Sequence, residues 1–296
     1  MSHNTKRSWR FKRVAESPPF PKQVWAFRCV PDCAKSLQQF HLFYDRRFDC
    51  APAAAEARYP SKLAFDSTHS RVYDIVTPGT RVLDLGSGSG AVGAALKANK
   101  GCTVVGLDTG HGEFTGQYDD FILADLNQGI PEIDAPAFDY VLALDVIEHL
   151  DNPEDFLDRL RQLTALWPEA TIVLTTGNVG FIVMRLSLLL GRFEYGRRGI
   201  LDITHKRLFT FNTLRRAMRA AGFTIERTEG VAPPLPFVFG GNSVLSRMLM
   251  AIARGLVRFW PSLFGFQCLV VARPRPLLAT LLAHAHQAAE ERSIAA

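Results

Sequence analysis

The sequence predicts an α/β fold with a doubly wound, mostly parallel sheet covered by helices on both faces. Three observations lead there. Short apolar runs of strand length alternate with helix-forming segments between residues 81 and 175, the pattern of βαβ units. A glycine-rich loop, Gly86-Ser87-Gly88-Ser89-Gly90, joins the first run to the first helical segment. Asp108 ends the next run, 22 residues after Gly86, at the distance where an acidic residue meets a ribose in nucleotide-type folds.

Residues 1–35 are basic, Pro-rich and aperiodic and read as an arm. Residues 36–76 read as helix in two pieces, broken near Pro52 and Pro60. Residues 1–65 are therefore an N-terminal arm and helical cover, and the domain proper spans 66–273. Arg81–Leu85, Thr103–Leu107, Phe121–Ala124, Phe138–Leu144 and Thr171–Thr175 are apolar or β-branched and predict strands. Ala91–Ala98 is a good helix former. Pro153–Leu166 is amphipathic, with Phe156, Leu157, Leu160 and Leu163 on one face. Asn212–Ala221 predicts a helix closed by Gly222, followed by strand Thr224–Thr228. Gln267–Ala272 is a last strand, stopped by Pro274, and 274–296 reads as a loosely attached tail. No internal repeat is visible.

Composition narrows the function classes. Hydrophobic residues are 47% and charged residues 21% of 296, a globular balance. The net charge of +5 is unevenly spread: residues 81–177 hold 16 acidic and 5 basic side chains, whereas residues 178–260 hold 4 and 13. A uniformly basic nucleic-acid binder is thus not expected. The five cysteines, Cys29, Cys33, Cys50, Cys102 and Cys268, are an odd number in a long chain, which fits a reducing, cytoplasmic setting rather than a disulfide framework. Cys29 and Cys33 lack a second Cys/His pair at ligand spacing, so ordinary thiols are expected. No apolar core follows the basic N-terminus, which argues against a secretory signal. No stretch of about 18 apolar residues occurs; the longest, Phe181 to Leu190, contains Arg185.

The loop admits two cofactors. Gly88, Gly90 and Gly93 match a dinucleotide GxGxxG pattern, which alone says little. S-adenosylmethionine has no pyrophosphate and carries an amine, a carboxylate and a sulfonium. Asp84, just before the loop, could attract that ammonium, whereas a carboxylate beside a pyrophosphate suffers like-charge repulsion. Asp84 could equally be a turn residue that satisfies backbone N–H groups.

Four segments, VLDLGSGSG (82–90), VVGLD (104–108), ADL (124–126) and FDYVLALDVIEHLDNPEDFL (138–157), resemble class I S-adenosylmethionine-dependent methyltransferases, in the ubiquinone-methyltransferase-like, type 11 group. The resemblance covers about 66–223 well and the final strand more loosely. It implies a Rossmann-like seven-stranded sheet, order 3-2-1-4-5-7-6, with strand 7 antiparallel. It also implies S-adenosyl-L-methionine as cofactor. Asp84, Gly86, Ser87, Gly88 and Gly90 would cradle the methionine part, Asp108 and Thr109 the ribose, Asp125 and Leu126 the adenine. Leu144 and Asp145 would lie beside the cofactor.

Methyl transfer from a sulfonium is an in-line displacement in which the protein mainly positions the nucleophile. An alcohol or phenol also needs a base. His149 follows the fourth strand and titrates near neutrality. The segment Asp145-Val146-Ile147-Glu148-His149 could instead hold a divalent ion, as the resemblance implies for some O-methyltransferases, or Glu148 and His149 could only cap the next helix. No metal is assigned. Residues 178–211 form a substrate loop, with Asn178, Tyr195 and Arg207 as substrate-binding candidates and His205 as a second candidate base. His205 beside Lys206 and Arg207 suits an anionic or hydroxylated acceptor, unless Asp202, His205 and Arg207 form a local hydrogen-bonding knot. The segment GRFEYGRRGILDITHKRLFT (191–210) has counterparts in methyltransferases tied to saccharide or glycolipid assembly.

Strands six and seven, normally a near-continuous hairpin in the implied fold, are separated here by 38 residues between Thr228 and Gln267. The amphipathic insertion, 231–262, contains Ser243–Trp260, where Arg247, Arg254 and Arg258 form one basic stripe on an otherwise apolar helix. Such a helix either lies on an anionic membrane, which places the enzyme at the inner face, or packs on the sheet or in a homodimer. The expectation is methyl transfer to a hydroxyl of a saccharide, a lipid-linked or glycolipid intermediate or another amphipathic small molecule. The rivals are an NAD-dependent oxidoreductase and a non-catalytic cofactor-binding scaffold. Nucleic acid is not an expected partner: NPPY-like and Pro-Cys segments are missing after strand four, and the basic residues lack interleaved aromatics.

Overall fold

The computed structural model describes residues 66–110, 118–133, 135–165, 167–234 and 244–276. The N-terminal arm and cover, residues 235–243 of the insertion and the tail beyond 276 lie outside the described residues, as do Cys29, Cys33, Cys50, Pro52 and Pro60.

Helix α1, Thr68–Ile75, opens on a capping box in which Ser67 and Ser70 satisfy each other's backbone N–H groups. Strand β1, Arg81–Leu85, leads through the glycine loop into α2, Ala91–Lys100, which ends at left-handed Gly101. Then come β2, Thr103–Asp108, β3, Asp120–Leu123, and β4, Tyr140–Leu144. A single 3-10 turn, Ile147–His149, precedes α3, Pro153–Thr164. Asn152 caps α3 by accepting from the Asp155 N–H, and Glu154 and Asp155 sit in its first turn, where the helix dipole favours anions. Strand β5 spans Thr171–Gly177 and α4 Ile182–Leu189. Helix α5, Phe211–Ala220, starts at a second capping box, Thr210 with Thr213. Strand β6 is Phe223–Val231; α6, Val244–Phe259, and the short α7, Pro261–Phe264, precede β7, Gln267–Pro274.

The sheet order is β3-β2-β1-β4-β5-β7-β6. β3, β2, β1, β4 and β5 pair in parallel, and β7 runs antiparallel to both β5 and β6. The expected seven-stranded order is thus observed. Successive side chains alternate between two cores, because the strand period is two. Leu83, Val141, Ala143, Ile172 and Leu174 pack with Phe156 and Leu160 of α3 and Leu214 of α5. Val82, Val104, Leu142 and Val173 pack on the other face with Val72 of α1 and Leu96 of α2. Burial on both faces is why these strands read as continuous apolar runs.

Some boundaries differ from expectation. β5 runs two residues further, to Gly177, because β7 pairs alongside it as far as Gln267. β6 extends to Val231, with a register shift between Ile225 and Arg227; its outward Glu226, Arg227 and Glu229 hide the strand in the sequence. Phe138 stays outside β4 and packs edge-on against Trp167 at 4.9 Å. α3 stops at Thr164 rather than Leu166, and α5 starts one residue earlier than expected, set by the Thr210 cap. Among the described residues no helix is long and apolar enough to cross a membrane.

The sheet turns direction between β1 and β4. Chain segments leaving their carboxyl ends diverge to opposite sides, which opens a crevice there.

Candidate active site

The glycine loop leaves β1 at this crevice. Gly86, Gly88 and Gly90 all take positive φ, between 55° and 73°, a region closed to most L side chains. A Cβ on Gly86 would also clash with Val146, just past β4. The loop is tied to the end of β2: the N–H groups of Gly86 and Ser87 donate to the Leu107 carbonyl at 2.7 and 3.2 Å. Gly88 N–H donates to Asp108 Oδ2 at 2.8 Å, and Thr109 donates to Asp108 Oδ1 through its N–H at 2.7 Å and its hydroxyl at 3.1 Å. Asp108 thus orders the loop as well as facing the crevice edge.

Asp84 is only 4% exposed and accepts from the Tyr118 hydroxyl at 3.2 Å. Burial raises its carboxyl to about 7, against the lowering effect of that hydrogen bond and with a further push from Asp108. The alternative of a turn residue satisfying backbone N–H groups gives way to this side-chain pairing. Tyr118 was not foreseen. Its ring fills the space beside Gly93 and Gly106, where a Cβ would collide with it. It follows no recognisable element, and only the two glycines opposite it hint at a large neighbour. Gly93 therefore serves packing within α2, not a pyrophosphate. Further along the edge, Asp125 is exposed and turns onto Asn127, accepting from its N–H at 2.9 Å, while Leu126 is buried beneath.

The opposite wall begins at Leu144 and Asp145. Asp145 has φ 54°, the only non-glycine positive φ among the described residues. Its N–H donates to Thr175 Oγ1 at 3.0 Å, and its Oδ1 accepts from the same hydroxyl at 2.9 Å. Its Oδ2 accepts from Gln267 Nε2 at 2.7 Å, and Gln267 Oε1 accepts from the Thr68 hydroxyl. Both carboxylate oxygens are thus committed to holding the ends of β5, β7 and α1 together. Gln267 was missed as a polar residue heading an apolar strand.

Glu148 is 2% exposed. Its Oε1 accepts from Gly177 N–H at 3.3 Å, and the Thr176 side chain lies within its hydrogen-bonding range. Burial first, then the Asp145 charge, push its carboxyl well above the usual range. Glu148 does not cap α3; Asn152 does. Among the described residues no group of three or more His, Cys, Asp or Glu is arranged to hold a metal ion.

The substrate loop is closed at its base by Asn178, which bridges Phe209 in parallel, with Val179 N–H donating to the Phe209 carbonyl at 2.9 Å. It returns to the turn after β4: Lys206 and Arg207 N–H groups donate to the Glu148 carbonyl at 2.8 and 3.1 Å. This brings His205 onto His149, with ring centroids 4.7 Å apart and edge to face. His205 Nδ1 bonds the Ile200 carbonyl at 2.9 Å; His149 Nδ1 faces the Thr204 carbonyl at 3.3 Å and the Thr204 hydroxyl at 3.2 Å. A carbonyl only accepts, so each Nδ1 carries the proton and leaves the lone pair on Nε2. Burial, reinforced by His205, lowers the His149 pKa below its ordinary value.

The three substrate-binding candidates do not converge on this pair. Asn178 is fully buried, donates to the Ser262 and Gly265 carbonyls at 3.1 and 2.8 Å, and accepts from Gly180 N–H at 3.0 Å. It has no polar atom left for a substrate. Tyr195 is half exposed and packs edge-on with Phe193. Arg207 pairs with Glu154 and Lys206 with Asp151, both acids near the start of α3. The basic cluster thus has acidic partners beside it, in exposed ion pairs. The local knot is real in part: Asp202 holds Thr204 at 2.7–2.8 Å, but Arg207 is not in it. A groove of about 540 Å³ between α3 and α5, lined by Glu154 and Arg207, contains no glycine-loop residue and neither histidine.

The donor set fits S-adenosylmethionine. A glycine loop that a side chain would obstruct lies beside a buried carboxylate that gains from a cation, and a second carboxylate stands at the end of β2.

Comparison with known proteins agrees. The chain matches the family model described as a methyltransferase domain over residues 44–228. It is 32% identical over 162 residues to the ubiquinone biosynthesis O-methyltransferase of Azorhizobium caulinodans, covering 52% of this chain and 62% of that protein. The chain thus spans about three fifths of the length of that relative. It is 30% identical over 190 residues to the ubiquinone biosynthesis O-methyltransferase of Maricaulis maris, covering 58% of this chain and 71% of that one. Among solved structures, a SAM-dependent methyltransferase from Aquifex aeolicus aligns with a TM-score of 0.45 at 16% identity, over 73% of this chain and 94% of that one. The dinucleotide alternative falls with the family match. The chain belongs to the methyltransferase-domain family, as a class I S-adenosylmethionine-dependent methyltransferase with S-adenosylmethionine as its cofactor.

Proposed function

We propose that this protein methylates a hydroxyl oxygen of an amphipathic small molecule, with His149 as the group that takes the hydroxyl proton. The observation that carries this reading is the His149–His205 pair, set at the end of β4 with the Nε2 lone pairs left over by the carbonyl contacts. The names of the two curated relatives support oxygen as the acceptor atom and a quinone-type compound as the acceptor class. A saccharide or glycolipid hydroxyl is the other acceptor class that this chemistry admits.

When bound, the cofactor supplies an electrophilic methyl group on a sulfonium. Asp84 would hold its ammonium, Asp108 its ribose hydroxyls and Leu126 its adenine. His149 Nε2 would take the hydroxyl proton as the acceptor oxygen bonds the methyl carbon and the sulfonium–methyl bond breaks, which leaves S-adenosylhomocysteine. The imidazole is neutral beforehand because burial and His205 disfavour its charged form. Thr204 holds the ring through Nδ1, and Asp202 holds Thr204. The proton leaves to solvent from the half-exposed ring after transfer.

The test is S-adenosylhomocysteine release from the full chain with a panel of hydroxylated acceptors bearing apolar tails, against matched amines. Hydroxyl-dependent turnover is expected. His149→Gln should lower kcat about 10²–10⁴-fold, as for loss of a general base, with calorimetric cofactor affinity unchanged. Turnover only with amines, or full activity in His149→Gln, refutes the reading.

A further inference from the structure

We infer that α4 and α6 form a docking surface for a bilayer containing anionic phospholipid, so that the protein works against a membrane without crossing it. The first observation is α4. Ile182–Leu189 is strongly apolar in sequence, yet none of its residues is buried. Leu189 is 81% exposed, and Leu186, Leu188 and Leu190 are also open. Burying such side chains is favourable, so an exposed row of leucines is unusual on a free monomer surface.

The second observation is the two-faced character of α6. At 100° per residue, Met250, Ala253 and Val257 share an arc of about 60°. This arc packs inward against Ala232 and Phe264. Met248, Ile252, Leu256 and Phe259 fall in a second arc of about 80°, centred about 140° away. All four are exposed, Phe259 at 82%. A helix that only packed on its own sheet would need one apolar arc, not two.

The third observation is charge. α6 contains no acidic residue, and Arg254 and Arg258 are exposed beside its inward face. Residues 182–200 hold four arginines and one acid, Glu194. Arginine stems can lie along apolar surface while their heads reach phosphate.

The loop into α4 and the C-terminal end of α6 both reach α7. The loop into α4 is tied to α7 by Asn178, whose side chain donates to Ser262 and Gly265, and Phe181 packs on Phe266 at 5.8 Å. Phe259 and exposed Trp260 end α6 one residue before α7 begins. Trp260 is the amphipathic ring expected at a headgroup boundary, with its Nε1 donating to Ser262 Oγ.

The surface is tested by flotation of the full chain with vesicles of phosphatidylcholine alone and of phosphatidylcholine with about one quarter phosphatidylglycerol. The anionic vesicles should carry the protein, and raised salt should weaken this by screening. Leu189→Glu combined with Phe259→Glu should reduce partitioning about tenfold or more, since charge is costly at the acyl boundary. Arg254→Gln with Arg258→Gln should weaken the preference for anionic vesicles, which the arginines of 182–200 also support. Unchanged melting curves and cofactor affinity in the same variants show that the fold is intact. No flotation of the unaltered chain overturns the inference, as does flotation insensitive to the glutamates. A sedimentation dimer that the glutamates dissociate, without vesicle binding, also overturns it and makes the face a contact between copies. None of these readouts uses turnover, so failure here is separable from failure of the methylation reading.

Discussion

His149 and His205, 56 residues apart in sequence, pack edge to face with ring centroids 4.7 Å apart, each anchored through Nδ1 to a backbone carbonyl. The neighbouring His205 ring adds to burial in disfavouring an imidazolium at His149. With the His149 pKa below its ordinary value, the base stays unprotonated to lower pH than a free histidine. His205→Gln should therefore move the acidic limb of the kcat/KM profile to higher pH. A pH–rate series on both proteins checks this; an unmoved limb means that His149 is not the titrating base.

Asp84 links stability and cofactor affinity in opposite directions. Its folded pKa, about 7, lies above the ordinary aspartate value of 3.8 because the carboxyl is buried. Its buried charge therefore costs stability above about pH 7, and that cost vanishes below about pH 4, where both states are protonated. Asp84→Asn should raise the melting temperature of the cofactor-free protein at about pH 8 and leave it unchanged at about pH 4. It should also weaken the cofactor about 10–100-fold, the worth of one charged hydrogen bond. Calorimetry across pH is the check: the unaltered affinity should climb through about pH 7 and the variant should be flat.

Asp145 is expected to act as a staple. Asp145→Ala places a side chain without local hydrogen bonding at φ 54° and strands Thr175 and Gln267. A loss of about 2 kcal/mol or more is expected from strain and unpaired groups. Asp145→Asn tolerates the backbone and can still accept from Thr175, so it should lose less. Chemical denaturation of the two variants orders them; equal losses would deny the left-handed backbone a role.

Asn178→Ala should behave as a core mutation rather than a substrate-site mutation. It leaves two carbonyls and the Gly180 N–H without partners in a fully buried position. About 2 kcal/mol or more of stability should be lost, with KM for a working acceptor little changed at a temperature where the variant is folded. A rise in KM with an unaltered melting temperature would restore Asn178 to the substrate site.

The cofactor half of this protein is legible along the chain because it is local. Strand, glycine loop and helix are consecutive, so Val82–Ala91 shows its geometry in residue order, and Asp108 lies one βα step away. The strands buried on both faces are visible as apolar runs. β6 was visible only to Thr228, because its outward residues are charged and the strand is recognisable only beside β7. Tyr118 and Gln267 were not legible, because what matters about each is a neighbour 34 or 122 residues away.

By itself the sequence determined the α/β class, the sheet order through its resemblance, the cofactor loop and its carboxylates, and an apolar, arginine-bearing insertion. Only the tertiary structure decided which polar groups remain free. It joined His149 to His205, committed Asn178, Asp145, Lys206 and Arg207 to partners within the chain, and among the described residues left α4 without a buried side chain. The physical reason is that a hydrogen bond or ion pair between distant segments leaves no periodic signature in either. Availability for a ligand is settled by the partners a side chain already has, and those are set by the crossing of chains.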